Sequence, residues 1–252
     1  MVLGIDSCPA GWLVASMSHD MDCKFLVLTD INELNKYLTQ AELILIDIPI
    51  GLPTNKDREC DRLARKILKK RASSVFSAPV RKVLQARDYK EACRINQQIL
   101  GKKISIQTWN ILPKIKEVDR FLSALPPNRR FIIRESFPEL GFWALSAGRI
   151  MPHRKKTEPG FMERLNVLKD HWPAACASID QALQTFSRKQ VRRDDIVDAL
   201  ILALNAVCGK ENLMSVPALP PRDAHDLPME MVFCKKYLPS AVIRTWQDFP
   251  NL

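Results

Sequence analysis

The stretches Val2-Leu3-Gly4-Ile5-Asp6 and Leu43-Ile44-Leu45-Ile46-Asp47 decide the fold of this chain. Each is a short apolar run that ends on a carboxylate, a pattern typical of a buried strand whose last side chain reaches the edge of a sheet. Adjacent parallel strands deliver their C-terminal side chains to the same rim. Asp6 and Asp47 are therefore predicted to lie together at one edge of an α/β sheet.

The segments around these two runs predict the rest of the sheet. Residues 12–17 predict a returning strand, residues 23–28 a third strand, and Thr29-Asp30 the start of a helix. Because a crossover is the usual route to a parallel neighbour, the strand ending at Asp47 completes the order β-β-β-α-β. Residues 130–135 predict a fifth strand, which again ends on a carboxylate, Glu135.

A helical insertion and an irregular C-terminal segment complete a predicted single domain of residues 1–252. The insertion follows the fourth strand at about residues 54–125, and the Pro-rich segment covers about residues 215–252. Residues 54–103 hold 15 Lys and Arg against five acidic residues, so this window carries the whole net charge of +10. Such clustering favours a surface facing a polyanion, although a solvated helical face would show the same charge.

The cysteines and the apolar runs indicate the cellular setting. Seven cysteines are scattered singly without a Cys-x-x-Cys pair. No stretch approaches the roughly 18 consecutive apolar residues of a membrane span. We therefore expect free thiols, a cytoplasmic location and no membrane partner.

Two further carboxylates, Asp195 and Asp198, lie three residues apart in the acidic first turn of a predicted helix. With Asp6, Asp47 and Glu135 they form a set of oxygen ligands that suits Mg²⁺ or Mn²⁺. Two such ions about 4 Å apart can activate water and stabilise the leaving oxygen in phosphodiester hydrolysis. Helix capping by Asp195 and an ion pair from Glu135 to the basic segment are the alternatives.

An ordered series of motifs joins these carboxylates. The motifs are Gly4-Ile5-Asp6 with Gly11-Trp12, residues 46–53, residues 58–65, Ser74-Val75-Phe76 with Pro79 and Arg81, Ser105 with Gln107 and Trp109 before residues 113–115, Glu135 with Pro138-Glu139, Lys156 with Gly160 and Arg164, and residues 194–199. The series resembles the ribonuclease H-like nuclease fold, most closely its RuvC-type Holliday-junction resolvase branch. Within that fold the chain resembles an uncharacterised family of predicted nucleases, which often has His where this chain has Phe137.

The resemblance implies a ribonuclease H-like mixed five-stranded sheet flanked by helices, acting on DNA or RNA. Asp6 would bridge two Mg²⁺ or Mn²⁺ ions, Asp47 would bind the second, and Asp195 or Asp198 would close the site, with Glu135 auxiliary. The basic and polar residues expected to hold the substrate are Arg58, Arg62, Arg65, Arg81, Gln107, Trp109, Lys114, Lys156 and Arg164. Trp109 alternatively belongs to the core. RuvC-like relatives often pair, so a homodimer is also open.

Two other functions remain open on the sequence alone. A phosphotransferase of the actin and sugar-kinase kind also uses aspartates at strand ends around a metal-nucleotide, but the chain has one copy of the fold and no glycine-rich nucleotide signature. A non-catalytic nucleic-acid-binding protein would need only the basic surface of residues 54–103.

Overall fold

A computed structural model describes the backbone of residues 1–247 and the side chains of residues 1–243. The strands of its main sheet are β1 (Val2–Cys8), β2 (Gly11–Met17), β3 (Cys23–Leu28), β4 (Leu43–Ile46) and β5 (Ile133–Glu135). They lie in the order β3-β2-β1-β4-β5, with β1, β2 and β3 antiparallel and with β4 parallel to both β1 and β5. The predicted mixed five-stranded sheet is confirmed.

Helices occupy most of the remaining described chain. The α-helices are α1 (Glu59–Leu68), α2 (Tyr89–Leu100), α3 (Ile106–Ala124), α4 (Pro127–Arg130), α5 (Pro138–Leu145), α6 (Glu158–His171), α7 (Ala175–Thr185), α8 (Arg193–Val207) and α9 (Ser240–Gln247). Short 3-10 helices cover Ile31–Lys36, Lys69–Ser74, Arg81–Gln85 and Lys210–Asn212. The crossover between β3 and β4 is therefore a single 3-10 helix, which begins where the Asp30 side chain accepts a hydrogen bond from the Asn32 amide at 2.7 Å.

Both faces of the sheet are covered, because successive side chains of a strand point to opposite sides. Leu3 and Ile5 of β1 pack into an apolar cluster that extends through α2 and α3. Val2, on the other face, packs into a second cluster built by α6, α7 and α8. Burial on both sides explains why β1 and β4 are apolar without alternation until they reach the sheet edge.

The helical insertion is present as predicted between β4 and β5, with α1, α2 and α3 as its main helices. The C-terminal prediction is wrong in part, because β6 (Leu213–Val216) and β7 (Met231–Cys234) pair as an antiparallel ribbon. The prolines that suggested an irregular path lie mainly in the connection between these two strands. All four residues of β7 are buried, and Met231 and Phe233 pack against α1 and α5. Pro250 lies outside the described residues.

Two of the seven cysteines are not free thiols, contrary to the expectation. Cys208, just after α8, and Cys234, in β7, form a disulfide, so the prediction of seven free thiols is wrong for these two. Their side chains meet because β7 packs beside the C-terminal end of α8, where Asn205 Oδ1 accepts a hydrogen bond from the Cys234 amide at 2.9 Å. Across residues 1–247, none of the helices combines the length and apolar character that crossing a membrane requires.

Helix α8 lies directly on β1, and Gly4 makes this approach possible. A Cβ atom at position 4 would lie 2.2 Å from the Ala199 carbonyl oxygen and 2.2 Å from the Ala203 amide nitrogen. Both atoms belong to the backbone of α8, so no side-chain rotation can relieve the overlap.

We expect Gly4→Ala to lower the free energy of unfolding by about 3 kcal/mol or more, because the helix must move away from the sheet. Gly101→Ala is a suitable comparison, since Gly101 ends α2 in the left-handed region and no heavy atom lies within 4 Å of the position that a Cβ atom would take there. Its expected cost is about 1 kcal/mol. Urea denaturation measures both, and a Gly4 variant no less stable than the Gly101 variant would contradict the direct contact.

Candidate functional site

The pleat of β1 directs Asp6 toward the first turn of α8. Residues 2, 4 and 6 share one face of the strand, and Gly4 on that face touches the backbone at Ala199 and Ala203. Asp6 lies one step further along the strand, where α8 presents Asp195 and Asp198 in its first two turns. All three carboxylates are at least nine-tenths buried.

The register of the sheet brings Asp47 beside Asp6. Gly4 pairs with Leu45 across the parallel strands, so the next residues on the same face are Asp6 and Asp47. The Asp47 amide continues this pairing beyond β4 by donating to the Ile5 carbonyl at 2.9 Å. The two strand-end aspartates therefore meet at one rim, as the sequence predicts.

A cleft of about 490 Å³ opens at this rim and is lined by all four aspartates that the sequence predicted for the site. Its acidic residues are Asp6, Asp47, Glu135, Glu139, Asp194, Asp195 and Asp198. Its basic residues are Arg71, Lys155, Lys156 and Arg192. The facing wall, formed by the helical insertion, includes Phe76, Gln107, Asn110 and Ile111.

Several residues of the cleft were not among the predicted site residues, and two of these, Lys155 and Glu139, form close ion pairs there. The Lys155 side chain is about one-third exposed, and its ammonium group forms an ion pair with Asp198. Glu139, in the first turn of α5, is buried and binds Arg164 with a 2.6 Å contact between Oε1 and Nη2. The Pro138-Glu139 motif could have pointed to Glu139, whereas Lys155 lies in a charged loop whose position the sequence does not define.

Burial and the charges of neighbouring carboxylates raise the pKa values of the acidic residues in the cleft. Burial raises the pKa of Asp6 well above its ordinary value, and the charges of Asp47 and Asp198 raise it further. Burial likewise raises the pKa of Asp47 to about 8, with the ammonium of Lys155 opposing the shift. Burial raises the pKa of Asp195 to about 6, and the charge of the neighbouring Asp194 adds to this shift. A hydrogen bond from the Arg192 backbone acts in the opposite direction and lowers the pKa. Acidic residues thus outnumber basic ones in a buried cleft, where ionising all of them together is unfavourable.

The pKa of Lys155 is also raised, which for an ammonium group favours the charged form. Burial alone would lower the pKa of its ammonium group, but the charges of Asp198 and Asp6 outweigh burial and raise the pKa above its ordinary value. Asp198 shows the complementary effect, since burial raises the pKa of its carboxyl group while Lys155 lowers it. Lys155 is therefore a fixed positive charge within the acidic cluster.

Glu135 does not join the four aspartates, and the register explains why. It pairs with Ile46, one residue before Asp47, so its side chain belongs to the opposite face of the sheet. There it makes two contacts with the buried Arg58, Nη1 to Oε2 at 2.7 Å and Nη2 to Oε1 at 2.6 Å. It also accepts a hydrogen bond from the Ile50 amide at 2.7 Å. Glu135 reaches the cleft as a paired group, as the ion-pair alternative predicted.

Two of the arginines expected to hold substrate are instead interior residues, which corrects that prediction. Arg58 and Arg164 are each 1% exposed. Arg58 binds Glu135 and Asp61, and Arg164 binds Glu139, because a guanidinium excluded from water requires carboxylate partners. Buried and exposed arginines are alike in a sequence, so the motif alone could not separate them.

Among the described residues, the expected substrate contacts that line the cleft are Gln107 and Lys156. The others have partners elsewhere: Arg62 contacts Glu59, Arg65 donates to the Val75 carbonyl, Arg81 binds Asp119 and Asp223, Lys114 lies over the Trp12 ring, and Trp109 packs on the core beside Tyr89. Trp109 follows the core alternative. The insertion thus reaches the cleft through residues 71–76 and one face of α3.

The donor set suits a hard divalent cation, although the side chains are not already arranged around one. In the described part of the chain, no three His, Cys, Asp or Glu side chains form a group that could hold a metal ion as they stand. The ammonium of Lys155 contacts Asp198 in the same acidic cluster. Several carboxyl groups in one cleft nevertheless provide the oxygen ligands that Mg²⁺ and Mn²⁺ prefer.

The fold and the cleft together define an α/β protein with an acidic site at the edge of a mixed sheet. Residues 4–222 match the family model described as a protein of unknown function, DUF429, and the chain belongs to this family. The match extends from β1 through α8 and so includes every acidic residue of the cleft. No curated protein and no solved structure matches the chain.

The raised pKa values predict a pH-dependent stability. Asp47 and Glu135 have pKa values of about 8 and 7 in the folded protein against ordinary values of 3.8 and 4.5. The folded protein therefore holds protons that the unfolded chain releases, so this stabilisation is complete below about pH 4 and is lost as the pH rises through 8. We expect the melting temperature in metal-free buffer to fall by several degrees between pH 5 and pH 8.

Asp47→Asn should reduce this fall, because it removes one of the titrating groups, whereas Asp20→Asn on the exposed surface should leave it unchanged. Thermal unfolding followed by circular dichroism at both pH values provides the measurement. A melting temperature that rises from pH 5 to pH 8 would contradict the raised pKa values of Asp47 and Glu135.

Proposed function

We propose that this protein hydrolyses phosphodiester bonds of nucleic acid at the acidic cleft, with a ribonuclease H-like arrangement of carboxylates and a divalent metal cofactor. The observation that carries the proposal is the meeting of Asp6, Asp47, Asp195 and Asp198 in one cleft, where acidic residues outnumber basic ones. The strand order and the placement of α8 on β1 agree with this assignment.

Mg²⁺ or Mn²⁺ would be held by Asp6, Asp47, Asp195 and Asp198. Such an ion, when bound, lowers the pKa of a coordinated water and stabilises charge on phosphate oxygens. The protein supplies the rest: β1 and β4 fix two carboxylates through backbone pairing, and α8 fixes the other two. Burial of these groups makes their electrostatic interactions stronger than they would be in water.

The rim and the facing wall suit a phosphate-bearing substrate with exposed bases. Lys156 and Arg192 are exposed cations at the cleft, where they can contact phosphate oxygens. Gln107 and Asn110 share one face of α3, and the ring of Phe76 is 41% exposed. Amide groups can hydrogen-bond base edges, and an exposed aromatic ring can stack on a base.

The size of the cleft favours a single strand. Its volume of about 490 Å³ lies within the range of small-ligand sites, roughly 300–1,000 Å³. A cleft of this size can enclose one or two unpaired nucleotides. We therefore infer that single-stranded or unpaired regions of DNA or RNA are the preferred substrates.

The proposal predicts cleavage that depends on Mg²⁺ or Mn²⁺ and that is lost when one strand-end aspartate is changed. Asp6→Asn keeps the shape of the side chain but removes its charge, and we expect a rate at least about 100-fold lower, because changes to supporting partners alone cost 10–100-fold at metal sites. Asp20→Asn, the same change on the exposed surface, serves as the matched control.

The assay compares single-stranded, duplex and branched DNA with single-stranded and duplex RNA, each with Mg²⁺, Mn²⁺ and chelator. Cleavage that is equal in wild type and Asp6→Asn would assign the activity to a contaminant or another site. Binding without cleavage on every substrate would favour the non-catalytic alternative.

The rim cations predict how affinity depends on salt. Lys156→Ala and Arg192→Ala should each weaken binding of a single-stranded oligonucleotide and reduce the slope of log affinity against log salt by about 0.7, since each removes one phosphate contact. Lys169→Ala provides a control with the same charge change on the exposed surface of α6. Fluorescence anisotropy at several salt concentrations gives the slopes. Equal slopes for all four proteins would place the substrate elsewhere.

A further inference from the structure

Lys155 is a charged residue of the cleft with a well-defined position. It lies in the loop between α5 and α6, and its ammonium group reaches Asp198, whose side chain is only 2% exposed. The neighbouring Lys156 lines the same cleft but is exposed. One of two adjacent lysines is therefore directed into the acidic cluster while the other remains at the rim.

Buried contacts hold the backbone of this loop. Arg164 Nη1 donates to the His153 carbonyl at 3.2 Å and to the Gly160 carbonyl at 2.8 Å, while its Nη2 binds Glu139. Within the loop, the Thr157 amide donates to the Arg154 carbonyl at 3.0 Å. Lys155 is thus flanked on both sides by residues with fixed backbone hydrogen bonds.

Gly160 allows the loop to pack on the first turn of α6. A Cβ atom at this position would lie 2.0 Å from the Arg154 carbonyl oxygen, a backbone atom that cannot rotate away. The loop therefore depends on glycine at 160 and on a buried arginine at 164. Gly160 and Arg164 both restrict the backbone next to Lys155, and they therefore restrict the position of the Lys155 side chain.

The position of the Lys155 ammonium group bears on the number of ions that the cleft can hold. An ammonium group tethered by a fixed loop neutralises Asp198 and occupies space among the carboxylates that a cation would otherwise take. We propose that Lys155 is a tethered cation that takes one of two cation positions in the cleft, so that the protein binds one divalent ion there instead of two. This inference rests on the proposed metal-dependent function, and it replaces the two ions expected from the resemblance.

Counting bound Mn²⁺ tests the inference without reference to activity. Isothermal titration calorimetry and equilibrium dialysis should give one ion in wild type and two in Lys155→Met, because the substitution frees Asp198 and opens the second position. Lys155→Arg keeps the positive charge and should bind one ion. Lys156→Met makes the same change at the neighbouring exposed residue and should also bind one.

Two further variants make the count specific to the cleft and independent of a single substitution. Asp6→Asn in the Lys155→Met background should lose the Mn²⁺ bound in the cleft, which identifies the ions counted. Gly160→Ala should move the loop and raise the count toward two, with circular dichroism confirming the fold. Lys155→Gln replaces Lys155→Met if the latter does not fold.

Two ions in wild type, or one ion in wild type and still one in Lys155→Met, would overturn the role of Lys155 and leave the metal site intact. Absence of Mn²⁺ binding in wild type and in every variant would overturn both this inference and the proposed metal-dependent function. The two failures are therefore distinguishable.

Discussion

The direct contact between α8 and β1 at Gly4 is the constraint on which the site depends. Because no side chain separates the helix backbone from the strand, the first turns of α8 lie close to the end of β1, and Asp195 and Asp198 approach Asp6. The parallel register with β4 then adds Asp47. Four acidic groups from three elements are brought together by backbone geometry, which side-chain flexibility cannot easily undo.

Crowding these acids costs stability, and the surrounding fold supplies the compensation. After Asp198 every residue of α8 through Ala206 is buried, so the helix is anchored along its whole length by apolar packing. Apolar burial contributes about 25 cal/mol per Å², which is independent of pH and salt to first order. Repulsion among carboxylates can therefore persist at one end of the helix without displacing it, a combination that is common where function opposes stability.

The sequence predicted the sheet and the four aspartates, because strand period and helix spacing determine which side chains share a face. The sequence did not reveal that the Glu135 side chain lies on the opposite face of the sheet from Asp47, since a register offset of one residue turns a side chain to the other face. Arg58 and Arg164 were assigned to the substrate although they are interior, because charge content carries no information about burial. Lys155 was missed because a loop has no periodicity, and only its backbone contacts with distant residues fix its position.

The order of the chain separates the acidic residues from the wall that faces them. β1, β4 and α8 carry the four aspartates, whereas residues 71–76 and 107–111 of the facing wall come from the segment between β4 and β5. That segment begins and ends at neighbouring strands, and its helices α2 and α3 also cover one face of the sheet, so only its cleft-facing residues can change without exposing the core. Arg58 and Asp61 would have to be retained, since they hold Glu135. Under the proposed function, changes confined to this wall would alter the substrate preference and leave the acidic centre unchanged.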